Sequence, residues 1–140
     1  MIKPITLTRI KYIAVKLAED TMTWDEPIPP FITRYPNILE SCIFTPFQKF
    51  DKKLLYQGLI GKGAILFYLL IKNHPFQNGN KRIAITTLLV FLSINKKWLK
   101  VDTKELYNFA VWIAESNPKL KNEVVKSIEK FIKTYLIEFY

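Results

Sequence analysis

Two apolar runs separated by a short polar loop constrain this chain more than any other feature. Gly63-Ala64-Ile65-Leu66-Phe67-Tyr68-Leu69-Leu70-Ile71 is hydrophobic nearly all round a helix. So is the stretch holding Ile83, Ala84, Leu88, Leu89, Val90, Phe91 and Leu92. A helix without a polar face belongs in the middle of a bundle. Both runs fall far short of the ~20 residues that cross a bilayer. The pattern therefore predicts a buried αα-hairpin with helices over Lys53–Lys72 and Lys81–Ser93.

Other segments arrange themselves around that hairpin. Ile10, Ile13, Ala14 and Leu17 recur at helical spacing and predict a helix over Thr8–Asp20. Between residues 21 and 36, Pro27, Pro29, Pro30 and Pro36 exclude regular structure and predict an extended arm, anchored by Trp24 and Phe31. Ile38–Phe44 fits a short helical turn or an edge strand, ended by Pro46. Trp98–Val101 reads as extended. Asp102-Thr103-Lys104-Glu105 is a capping-box arrangement that opens a helix through about Glu115. Asn117-Pro118 supplies a cap and first-turn proline for a last helix ending near Phe139. The expectation is an all-α compact helical bundle, a single domain over residues 1–140, with a central buried helical hairpin and a small extended arm or flap. Only four glycines are present, which argues against a turn-rich β fold.

Charge and cysteine content narrow the setting. The net charge of +9 admits an acidic partner such as nucleotide phosphates, nucleic acid or an acidic protein, and equally admits a solubilising lysine surface. The lysines are spread out and no block of five like charges occurs. One cysteine, Cys42, cannot form an internal disulfide, and the N-terminus lacks a long apolar stretch; both fit a soluble cytoplasmic protein.

The hairpin loop carries the chemistry. Asn78-Gly79 is a strong turn signal, and Asn80 suits the N-cap of the helix that follows. That helix opens on Lys81 and Arg82, cations at the end where the macrodipole is already positive. A bound anion would resolve the conflict, taking N–H donors from the turn and charge from both side chains; a phosphate matches the arginine fork best. The alternative is that both side chains point to solvent. His74, the only histidine, precedes this site and could accept a proton from a hydroxyl, or could instead cap the preceding helix. Phe76, among polar neighbours, reads as a core anchor.

This loop, His74-Pro75-Phe76-Gln77-Asn78-Gly79-Asn80-Lys81-Arg82, resembles the Fic/Doc superfamily signature His-x-Phe-x-Asp/Glu-Gly/Ala-Asn-Lys/Gly-Arg and agrees at eight of its nine positions. Asn37-Ile38-Leu39-Glu40-Ser41 is similar to the family's target-binding flap region. The resemblance implies His74 as general base, Gly79 and Asn80 as an anion hole, and Lys81 and Arg82 as phosphate ligands. It implies ATP or another nucleotide as co-substrate, with Mg2+. Lysine at position 81, where the adenylyl-transferring branch usually has glycine, is similar to the death-on-curing (Doc) toxins, whose known member phosphorylates elongation factor Tu. Asn78 departs from the pattern, standing where the family's acidic metal-binding residue would be. A neutral amide is a poorer magnesium ligand. The nearest match to the family's inhibitory Ser/Thr-x-x-x-Glu-Gly/Asn helix is Thr134-Tyr135-Leu136-Ile137-Glu138-Phe139, where Phe139 breaks the pattern. The resemblance thus implies a separate antitoxin. Three functions are distinguished: a Doc-type protein kinase, a protein adenylyltransferase, and a non-catalytic basic nucleic-acid-binding module. The last is disfavoured, as the chain has no zinc-ligand cluster or RNA-binding aromatic motif.

Overall fold

A computed structural model describes residues 1–139 and shows a helical bundle built on the predicted hairpin. Helix α1 spans residues 7–20 and contains a wide π-turn, Ile10–Ala14, between the regular pieces Leu7–Arg9 and Val15–Asp20. Thr6 caps it, its side-chain oxygen accepting from Arg9 N at 3.2 Å. At the end of this turn Thr86 Oγ1 donates to Ala14 O at 2.8 Å. The proline-rich arm follows as irregular chain, broken by one 3₁₀ turn, Phe31–Thr33. Of its two expected anchors, Phe31 is partly buried, whereas Trp24 stays 54 % exposed, in a T-shaped contact with Tyr107 and under the Lys104 ammonium.

The undecided segment is a helix, α2 (Pro36–Phe44), with proline in its first turn and Leu39 and Cys42 fully buried. A 3₁₀ turn, Thr45–Phe47, takes up Pro46. A two-residue hairpin comes next, β1 (Lys49–Phe50) against β2 (Lys53–Leu54). Its turn residues Asp51 and Lys52 both have positive φ, as a tight hairpin of matching twist requires. The expected helix start at Lys53 is therefore corrected: α3 is Gly58–Lys72, and Gly58 at φ +65° breaks the helical path behind it.

Helix α3 and helix α4 (Asn80–Ile94) form the antiparallel core. Every residue from Gly61 to Ile71 is buried, and from Arg82 to Leu92 only Leu89 is partly exposed. Even Lys62 is enclosed; its Nζ donates to Tyr56 O at 2.6 Å and lies over the Phe47 ring, and burial lowers its pKa. Helix α5 (Thr103–Glu115) is capped as expected, Asp102 accepting from Lys104 N at 3.1 Å. Asn117 caps a 3₁₀ turn, Pro118–Leu120, that leads into α6 (Lys121–Tyr135).

The last helix stops short of its expected end near Phe139. Leu136–Glu138 leaves it as strand β4 and pairs antiparallel with β3 (Lys97–Leu99). Trp98 stacks on Phe139 at 5.2 Å, and Lys97 pairs with Glu138. The stack on Trp98 and the ladder to β3 are contacts with a segment distant in sequence, a tertiary effect invisible to local periodicity.

Adjacent threonines on α4 make a clean stability test. Thr86 Oγ1 is bonded to Ala14 O, while Thr87 Oγ1 is buried without a partner. Thr86→Val is expected to destabilise by roughly 1–2 kcal/mol and Thr87→Val to be neutral or stabilising by up to about 1 kcal/mol. Urea unfolding with m-values checked for constancy decides; equal loss in both variants contradicts the hydrogen-bond assignment.

Candidate active site

The loop between α3 and α4 is fixed by its own sequence. Asn73 ends α3, its N–H donating to Leu69 O at 2.9 Å. His74 then takes φ +49°, a left-handed conformation unusual for a residue with a Cβ and one that concentrates at functional positions. Its side chain is exposed and makes no hydrogen bond within the described residues. Pro75 O accepts from Tyr35 N at 2.9 Å, tying the loop to the start of α2. Phe76 is 2 % exposed and faces Phe31, ring centroids 6.1 Å apart.

Asn80 is not the N-cap. Gly79 holds that place at φ +68°, and Asn80 is the first residue of the helix. Its amide reaches back across the loop instead. Oδ1 accepts from Phe76 N and Nδ2 donates to Phe76 O, both at 2.9 Å. Gly79 provides no side-chain cap, so the first-turn N–H groups of α4 remain available to an anion. Glycine is needed here twice over: for the positive φ, and because a Cβ would lie 2.7 Å from Ile28 Cδ1 and 3.2 Å from Pro27 O.

The two cations behave differently. Lys81 is half-buried and has neither hydrogen bond nor ion pair among the described residues. Arg82 is 3 % exposed and directed into the fold. Its Nε donates to Thr21 O at 3.1 Å and its Nη1 to Glu26 O at 2.7 Å. Its Nη2 donates to Ala18 O at 2.5 Å and Thr21 O at 2.8 Å. The guanidinium thus caps the C-terminal end of α1 and holds the arm. Nearly every donor of this side chain is engaged within the fold, and nothing in the local sequence announces the carbonyls that use them.

Around His74, the segment similar to a target-binding flap forms part of α2. Its exposed Asn37, Ile38 and Ser41 line an open cleft of about 400 Å³ together with Asn73. Cys42, on the buried side of α2, is inert: burial pushes its thiol up to about 12, against a smaller opposing effect of the Asn73 side chain. Glu138, the glutamate nearest to an inhibitory motif, sits on β4 and is paired with Lys97.

A model of the Fic/DOC family matches residues 4–92, which covers α3, the loop and α4 as far as Leu92. The chain belongs to the Fic/DOC family. Comparison with curated proteins and with solved structures finds no match. Fic/DOC membership implies a transferase with a nucleotide co-substrate and a protein acceptor. Among the described residues, no helix is long and apolar enough to cross a membrane.

A resident metal ion is not fitted by the side chains of this Fic/DOC loop. Asn78 contributes one neutral amide oxygen, and no cluster of three metal-binding side chains occurs among the described residues. Magnesium strongly prefers charged oxygens and octahedral coordination.

Two stability effects separate the neighbouring cations. Arg82→Ala leaves several carbonyls without donors and is expected to destabilise by roughly 3 kcal/mol or more, whereas Lys81→Ala is expected to stay within about 0.5 kcal/mol. Gly79→Ala is expected to lose about 1–3 kcal/mol from backbone strain, only partly recovered by Ile28→Ala. Thermal unfolding of these variants checks the ranking; an innocuous Arg82→Ala contradicts the capping role.

Proposed function

We propose that the chain transfers the γ-phosphoryl group of ATP to a hydroxyl of a protein target. The observation that carries this reading is the unpaired, half-buried Lys81 beside the uncapped N-terminus of α4, on the same loop as the exposed His74. Backbone N–H groups of Asn80, Lys81 and Arg82 take the phosphate oxygens, and the Lys81 ammonium supplies charge. Neutral His74 accepts the proton of the target hydroxyl as its oxygen bonds to the γ-phosphorus. The bond from that phosphorus to the β,γ-bridging oxygen breaks, and ADP leaves. Magnesium enters as part of the nucleotide substrate.

Lysine at position 81, similar to the Doc branch, supports phosphoryl over nucleotidyl transfer. The cleft of Asn37, Ile38, Ser41 and Asn73 is where the target segment lies. An elongation factor is the target class that the Doc resemblance suggests. With Glu138 engaged on a strand, control falls to a separate antitoxin protein. In this reading Arg82 acts through its backbone and by holding α1, and nucleic acid is not a partner.

Target protein from a cell extract incubated with ATP labelled at the γ or the α phosphate tests the reaction. Label retained from the γ position only is expected, with His74→Ala reducing the rate at least about 100-fold and Lys81→Ala reducing it without loss of stability. Retention of the α label overturns phosphoryl transfer in favour of nucleotidyl transfer. No label from either, together with equal effects of wild type and His74→Ala on growth, removes catalysis.

A further inference from the structure

A second cavity, of about 210 Å³, lies behind α4 on the side facing β3 and α5. Met22, Ile85 and Leu106 are among its buried walls, and Leu89, Trp98 and Val101 are partly exposed around it. The two buried or half-buried hydroxyls in the wall are already committed: Thr21 Oγ1 donates to Leu17 O at 3.0 Å, and Thr86 Oγ1 to Ala14 O at 2.8 Å. A water molecule needs two to four polar partners, and the buried part of this wall has only the two committed hydroxyls; the Thr103 hydroxyl and the Trp98 indole N–H lie at its partly exposed side. For scale, a dry apolar cavity of roughly 150 Å³ takes up benzene. The same wall touches the motif, because Thr21 also supplies the carbonyl that accepts two donors from Arg82.

We propose that this cavity is a binding site for a ring-sized apolar molecule, and that its occupancy is felt at the start of α4 through Thr21 and Arg82. The volume sets the size, and the chemistry follows from a wall of which eight of eleven residues are apolar, with the donors of Trp98 and Thr103 on its partly exposed side. A ligand filling the space between Met22 and Leu106 braces the segment Thr21–Met22, whose backbone holds the guanidinium. Helix α4 and its anion-binding end then respond without any contact between ligand and loop. This site is independent of the reaction that the loop performs.

Fluorobenzene is the probe, added to the intact chain and followed by fluorine NMR, with amide spectra recorded in parallel. Saturable binding with a dissociation constant on the order of 1 mM or below is expected. Val101→Phe and Leu89→Phe, two independent ways of filling the space, are expected to weaken it about tenfold or more while retaining native amide dispersion. The Lys81 and Arg82 amide resonances are expected to move with occupancy in the wild type. No saturable binding up to the solubility limit, or undiminished binding in both filled variants, overturns the site. Saturation that leaves the Lys81 and Arg82 resonances in place overturns the coupling. None of these outcomes depends on catalytic activity.

Discussion

The guanidinium of Arg82 is the interaction on which the rest of this structure depends. It is a buried charge with no carboxylate partner among the described residues, stabilised by the carbonyls at the C-terminal end of α1 and by the arm. Those carbonyls are the orphan acceptors of a helix end and sit at the negative pole of its macrodipole, so they act as a distributed counter-ion. Lysine would not substitute. A point charge with three tetrahedral donors does not reach carbonyls at residues 18, 21 and 26 together, whereas the planar fork does. Through this one side chain the first helix, the proline-rich arm and the first turn of α4 become one unit. The arm residues Pro27 and Ile28, just beyond Glu26, lie close against Gly79.

On the other side of the loop Lys72 plays a similar part. It lies in the last turn of α3, and its Nζ donates to Ala114 O at 3.2 Å and Ser116 O at 2.6 Å, capping the end of α5. The two helices of the core hairpin thus each send a cation from the loop end into the C-terminus of a neighbouring helix. Part of the formal charge of +9 is therefore engaged in joining helices, and the excess overstates what remains for a partner. This weakens a reading of the chain as a generic polyanion binder, which needs its cations in contact with solvent.

The buried hairpin was legible because all-round apolarity over Gly63–Ile71 and Ile83–Leu92 has few solutions. Caps at Asp102 and Asn117 were legible because their chemistry is local. The two failures at helix ends have different causes: β4 forms because β3 lies 37 residues away to receive Leu136 opposite Leu99, whereas α3 starts late for a local reason, the tight hairpin turn at Asp51-Lys52 and the positive φ of Gly58. At the site, the turn at Gly79 could be read from Asn78-Gly79. The roles of Asn80 and Arg82 could not. Asn80 has the composition of an N-cap but bonds to Phe76 across the loop, and the acceptors of Arg82 lie more than 50 residues upstream.

The placement of the Arg82 side chain shapes the electrostatics of the loop. Two cations at a helix N-terminus pose a conflict, and the fold removes half of it by turning Arg82 into the C-terminus of α1. Lys81 is what remains unresolved within the described residues. One ammonium and three backbone N–H groups are a modest charge for a triphosphate, and an acidic residue at position 78 would reduce it further unless a cation accompanied it. Asn78 brings no charge to hold a divalent ion and none to repel a phosphate. Under the proposed reaction, the loop is suited to a nucleotide whose phosphates arrive already partly neutralised, and Lys81 supplies the charge that increases in value as the phosphoryl group is transferred.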